Sequence, residues 1–137
     1  MRNSVVLVVK RGSFILTVTN RRVGGYTLPG GKIDPEDTSI ENAAKRELLE
    51  ETGCQTNSLQ FITAIDHAAD PQDLNQESWH ANVFTADIGN QIPKQVEEGT
   101  LPAWQTVSQF LSYCSYKDLN QQIFSNENVK NYLSSSN

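Results

Sequence analysis

The stretch Leu28–Cys54, LPGGKIDPEDTSIENAAKRELLEETGC, decides how this chain is read. It opens on a proline and a glycine pair and then gathers Glu41, Glu47, Glu50 and Glu51 on one short segment. Asp37, Thr38 and Ser39 are each able to cap a helix start, and Gly53 suits the left-handed position just past its end. Between them, Ile40, Ala43, Ala44, Leu48 and Leu49 supply an apolar stripe at helical spacing, so a helix is expected over about residues 40–52. On such a helix Glu47, Glu50 and Glu51 share a face, because residues three and four apart are neighbours. Arg46 stands four residues before Glu50, within reach of its carboxylate.

Like charges at that spacing destabilise a helix by a few tenths of a kcal/mol per pair. A solvated acidic face is one explanation, although lysines would ordinarily be interleaved on such a face. The other is a site for a hard cation such as Mg²⁺, which takes carboxylate oxygens together with substrate phosphates and water. The preceding Gly30-Gly31 pair favours the second, since backbone without a Cβ can approach a ligand closely and offer its carbonyls.

Outward from this segment, "SVVLVVKRGSFILTVTN" reads as two strands turning at Arg11-Gly12. "YTL" is a candidate short strand, and "LQFITAIDHA" and "SWHANVFTADI" are longer ones separated by the polar loop "ADPQDLNQE". A short strand is expected around Trp104, then a helix in "VSQFLSYC" and one last helix in "DLNQQIFSNENVKNYL". The order gives a mixed sheet with one central helix and more helices at the C-terminus, without the regular βαβ alternation of a doubly wound fold.

Bulk properties set outer limits. The 137 residues fit a single domain spanning 1–137. The net charge of −5 lacks the basic footprint of a nucleic-acid or membrane-surface binder. No apolar run approaches the roughly 18 residues of a membrane span. Residues 1–12 read as a first strand rather than a signal peptide. Cys54 and Cys114 have no metal-like spacing and fit a reduced, cytoplasmic protein.

The residues Gly31 to Cys54 resemble the Nudix box, GX5EX7REUXEEXGU, with U a bulky apolar residue. Gly31, Arg46, Glu47, Leu48, Glu50, Glu51 and Gly53 fall on its fixed positions, and Cys54 takes the last apolar place. The box covers about a fifth of the chain. It departs from the pattern by one extra residue: counted from Gly31 the first acid is Asp37, counted back from Arg46 it is Thr38, and Glu36 is adjacent.

The resemblance implies an α/β/α sandwich around a mixed β-sheet, carrying the catalytic helix and C-terminal helices. It implies a Mg²⁺-dependent hydrolase, with Mn²⁺ as an alternative, of a nucleoside diphosphate linked to another group. Glu47, Glu50 and Glu51 would bind metal with the carbonyl of Gly30. Glu47 would also handle the attacking water, and Arg46 would orient Glu50. A further acid in many relatives precedes the Trp-bearing strand; Glu97 and Glu98 are the candidates here, with Glu98 preferred.

Arg21 and Arg22 suit a phosphate, and Trp79, with His80 and Asn82, suits a base, though Trp79 and Phe84 fit a core equally well. The leading expectation is a small-molecule nucleoside triphosphate, including oxidised ones, cut to monophosphate and pyrophosphate by a monomer or homodimer. ADP-ribose, another nucleotide sugar or a dinucleoside polyphosphate is the alternative substrate. A catalytically silent binding module is the alternative class.

Overall fold

The computed structural model describes residues 2–19, 24–68 and 78–135. The Arg11-Gly12 turn is real: β1 (Arg2–Val8) and β2 (Lys10–Arg11) lead into β3 (Phe14–Thr19), with Gly12 at φ 61°. After β4 (Tyr26–Thr27) and β5 (Gly30–Lys32) comes α1 (Ile40–Thr52). Then follow β6 (Ser58–His67), β7 (Trp79–Asp87) and β8 (Pro102–Gln105), and the helices α2 (Val107–Ser112), α3 (Lys117–Ser125) and α4 (Glu127–Ser134).

One sheet has the order β5-β1-β7-β6, with β1 and β7 parallel and the other pairs antiparallel. In the second, β3 is flanked by β8 on one side and by β2 and β4 on the other. Alternation along β1 explains the layering. Val5, Leu7 and Val9 pack with Ala43, Ala44 and Leu48 of α1, whereas Val8 joins Ala81 and Val83 against Phe110, Leu119, Ile123, Phe124 and Val129 of the C-terminal helices. The sheets are therefore covered by helix on both faces, an α/β/α sandwich with a mixed sheet.

Of the three candidate caps, Ser39 is the one used: its Oγ accepts from the Asn42 amide at 3.0 Å. Gly53 closes α1 at φ 72°, its amide donating to the Leu49 carbonyl at 3.0 Å.

The single last helix expected from the sequence is two. Asn126 ends α3 and starts α4 in an extended conformation, φ −69° and ψ 134°, and its side chain accepts from the amides of Asn128 and Val129. A short polar side chain that can satisfy two orphan amides competes with helix continuation, and here it wins. The loop "ADPQDLNQE" lies outside the described residues. No helix among the described residues is long and apolar enough to cross a membrane.

Candidate active site

The glycine pair lies on β5, whose register against β1 sets Gly30 opposite Val6 and Gly31 opposite Val5. Backbone excludes a side chain at Gly30, and one at Gly31 would displace the Glu47 carboxylate. At Gly30, with φ 154°, a Cβ would stand 2.2 Å from the Val5 carbonyl oxygen. At Gly31 it would stand 2.7 Å from Oε1 of Glu47. The strand is thus pressed against α1 closely enough for backbone and carboxylate to meet. The Gly30 amide donates to Glu51 Oε1 at 2.8 Å.

Glu51 is buried at 9% exposure. Burial drives its pKa well above the carboxylate range, and the nearby charges of Glu47 and Glu97 add to the rise. The Gly30 amide opposes it only in part. Glu47 is shifted upward too, first by burial, while Arg46 pulls it back. The Glu47 and Glu51 carboxyls bond to one another, so each lies in the other's field.

Arg46 works on the other flank. Its Nε and Nη2 grip the two oxygens of Asp37 at 2.9 Å each, and its Nη1 reaches Glu47 at 3.0 Å and Glu50 at 3.2 Å. The Asp37 carboxyl, 7% exposed, also accepts from the Asp34 amide at 2.8 Å. Arg46 first, and then that amide, hold its pKa below the usual 3.8. Asp37 is therefore the clamp on Arg46 and not the helix cap.

The three box glutamates do not all turn one way: Glu47 and Glu51 meet, whereas Glu50, 44% exposed, leans to Arg46. Among the described residues, no three carboxylate, thiol or imidazole side chains form a finished metal cage. The donor set still fits a hard divalent cation. It is all oxygen, two of its carboxyls are buried side by side, and Gly31 leaves the space beside Glu47 that any Cβ would fill.

Glu97 and Glu98 are both exposed on the segment before β8. Glu98 is the expected candidate, but the charge that bears on Glu51 is that of Glu97. That segment is strapped to the body by contacts no local pattern announces. Lys94 donates its amide to Thr52 O at 2.9 Å, and Gln91 bonds Gln55 in both directions. Arg11 donates to the Gly89 and Gln91 carbonyls at 2.8 and 2.9 Å while lying over the Trp104 ring at 4.5 Å.

A cavity of about 160 Å³ continues from Glu51, Gly30 and Gly31 along β1 to Trp79, Tyr116 and Asn120. Trp79 is half-buried there, with the Arg2 guanidinium 4.4 Å above its ring and the Tyr116 ring edge-on at 5.3 Å. The neighbours named with it do not share this cavity. His80 points to the opposite face of β7 and pairs with Asp66. Asn82 is buried and donates to Asn3 Oδ1 and Ser4 O at 2.9 Å, while Phe84 is core. Arg21 and Arg22 lie outside the described residues. Sequence reasoning missed Tyr116 and Asn120, because their nearness to β1 is set by tertiary packing alone.

The chain is similar to known proteins in the same sense. Over 52 residues it is 44% identical to a Bacillus subtilis (strain 168) protein provisionally named 8-oxo-dGTP diphosphatase; the match spans 38% of this chain and 34% of that protein. The crystal structure of a MutT NUDIX hydrolase from Burkholderia pseudomallei superposes with a TM-score of 0.66 at 28% identity, covering 78% of this chain and 84% of that one. The NUDIX domain of Shewanella oneidensis NrtR, solved with ADP ribose, shares the fold with a TM-score of 0.75 at 20% identity over 98% and 89% of the two chains. The profile of the NUDIX domain matches residues 1–130 of the 137, and the chain belongs to that family.

Proposed function

We propose that the protein is a divalent-metal-dependent pyrophosphohydrolase that cuts a nucleoside triphosphate, intact or oxidised, to the monophosphate and pyrophosphate. One observation carries this reading: buried Glu51, held by the Gly30 amide beside Glu47, opens into a cavity that ends on aromatic side chains. An acidic end suits a metal-bound diphosphate, and an aromatic end suits a base. The cavity is smaller than the roughly 300–1,000 Å³ of sites that enclose a whole drug-sized ligand, so it takes the base while the phosphates lie over the acids. The Bacillus subtilis relative's name points to the same substrate class.

Glu47, Glu50 and Glu51, with the Gly30 backbone, would hold Mg²⁺, or Mn²⁺ in its place. When bound, the cation neutralises diphosphate charge and lowers the pKa of water. The Gly30 amide keeps Glu51 in register with the glycine strand. Arg46, itself fixed by Asp37, orients Glu50 and Glu47. Glu47 is the acceptor for the proton of the attacking water, and Glu97 adds a further acid from the strapped segment. Water forms one new bond to phosphorus, the α–β anhydride bond breaks, and pyrophosphate carries away the electron pair.

The test is a nucleotide panel with Mg²⁺ and chromatographic separation of products. Pyrophosphate from dGTP or 8-oxo-dGTP, with ADP-ribose intact and no turnover in EDTA, is the expected result. AMP from ADP-ribose with triphosphates untouched would transfer the reading to nucleotide sugars. Full turnover with metal stripped would end it.

A further inference from the structure

Tyr116 is the one residue other than glycine that has a positive φ, 53°, among the described residues. It stands at the N-terminus of α3. The other helices start at Ser39, Thr106 and Asn126, each extended and each bonding its own first turn through its side chain. Tyr116 does neither. For an L-residue with a large side chain this conformation is strained, because Cβ crowds the following carbonyl. Its surroundings impose it: Ser115 N donates to Tyr26 O at 2.9 Å, Asn120 Nδ2 to Ser115 O at 2.8 Å, and Asn120 N to Tyr116 O at 3.0 Å.

Core burial does not repay the strain, since the residue remains 43% exposed. What the conformation achieves is to lay the ring against Trp79, the planes 65° apart, at the end of the cavity that begins at Glu51. β1 measures the distance between the two ends. Val6 pairs with Gly30 and Arg2 with Trp79, four residues apart, or about 13 Å along a strand. That is the scale of one nucleotide from its diphosphate to its base. Arg2 covers one face of Trp79, which leaves a base the surface that Trp79 and Tyr116 share. Strain held at a ligand cavity is characteristic of a functional position.

We infer that Tyr116 is a specificity-determining residue whose strained backbone holds its ring as the wall for the base, favouring two-ring purines over pyrimidines. This rests on the nucleotide reading above but not on hydrolysis. A purine covers both rings of the corner, whereas a pyrimidine covers little more than one.

The experiment is calorimetric binding of dGMP and dCMP in EDTA buffer by the full chain and by Tyr116→Phe, Tyr116→Ala and Tyr116→Gly. Wild type and Tyr116→Phe should bind dGMP several-fold more tightly than dCMP. Tyr116→Gly and Tyr116→Ala should lose about tenfold for dGMP and most of the preference, the worth of one stacked base. Tyr116→Gly should also melt no lower than Tyr116→Ala, since glycine takes φ 53° freely. Wild-type affinity in Tyr116→Gly, equal losses in Tyr116→Phe and Tyr116→Gly, or no binding of either nucleotide by wild type would overturn the inference. Binding that depends on Tyr116 without any triphosphate cleavage would instead refute the proposed reaction alone.

Discussion

The two flanks of α1 carry the same residue type in opposite electrostatic conditions. On the outer flank Glu50 meets Arg46, which also grips Asp37 and touches the Lys32 carbonyl. The acids there share the one guanidinium of Arg46. On the inner flank Glu51, one residue further on, lies buried with Glu47 and Glu97 as neighbours and one backbone amide for support. The ion pairs of Arg46 go to Asp34, Asp37, Glu47 and Glu50, not to Glu51. The outer flank is a finished structure. The inner one buries carboxyls side by side, the arrangement that the proposed cation would relieve.

Changing Glu51 to Gln should break the contrast most severely. The amide keeps its size and can still accept from Gly30, but the charge is gone. Changes to residues that only support metal ligands typically lose 10–100-fold in activity, so this one should exceed about 100-fold in kcat. Its melting temperature should hold or rise, because the amide keeps the Gly30 contact and has no charge to desolvate at any pH. Near-normal turnover would mean that the inner flank is not the reaction centre.

Arg46→Ala attacks the finished flank and should reduce kcat by about 10–100-fold through misoriented Glu47 and Glu50. Arg46→Lys should rescue little, since a single ammonium cannot reproduce the two-pronged grip on Asp37. Full rescue by Lys would show that only net charge matters.

A milder effect, about tenfold or less, is expected for Asp37→Asn, with the Mg²⁺ concentration for half-maximal rate unchanged. A large rise in that concentration would make Asp37 a metal ligand after all. The same variant has a pH signature. Because the Asp37 pKa is lowered in the fold, its stabilisation is complete above the unfolded value of 3.8 and fades as pH falls through the folded value. Thermal melts of wild type and variant should differ near neutral pH and converge in strong acid.

Smallest is Lys10→Ala, remote from both flanks. Lys10 Nζ caps α4 by donating to the carbonyls of Tyr132 and Ser135 at 2.7 and 2.8 Å. Losing it should cost about 1 kcal/mol and a few degrees of melting temperature, with kcat unchanged. Altered kcat would imply coupling between α4 and the cleft.

What could be read from the sequence follows the range of the forces involved. The bounds of α1 come from Ser39 and Gly53, within one turn of the helix they close, and the spacing of Glu47, Glu50 and Glu51 is a property of the helix itself. The long strands were legible as well, although the run before Gly12 expected as one strand breaks at Val9 into β1 and β2, which join different sheets. The role of Asp37 was not legible. As a cap it would act on its neighbours, whereas its partner Arg46 is nine residues away across a loop. The break at Asn126 was misread because an asparagine inside an otherwise periodic segment can face solvent or seize two amides, and only tertiary packing decides. The choice between Glu97 and Glu98 depends on the straps at Gln91, Lys94 and Arg11, each anchored to a distant segment.

The parallel pairing of β1 with β7 has a consequence for how the protein is made. β1 is made well before its parallel partner, since its register runs from Arg2 opposite Trp79 to Val8 opposite Thr85. At about 5–20 residues per second, several seconds of synthesis separate the two strands. Through that interval the apolar strand Val5, Val6, Leu7 and Val8 has the short β5 beside it and α1 against its Val5 and Leu7, while its other edge waits for β7. Glu97, whose charge bears on Glu51, and Tyr116, which lines the cavity, are made later still, so the cleft takes shape only after β7 has joined β1.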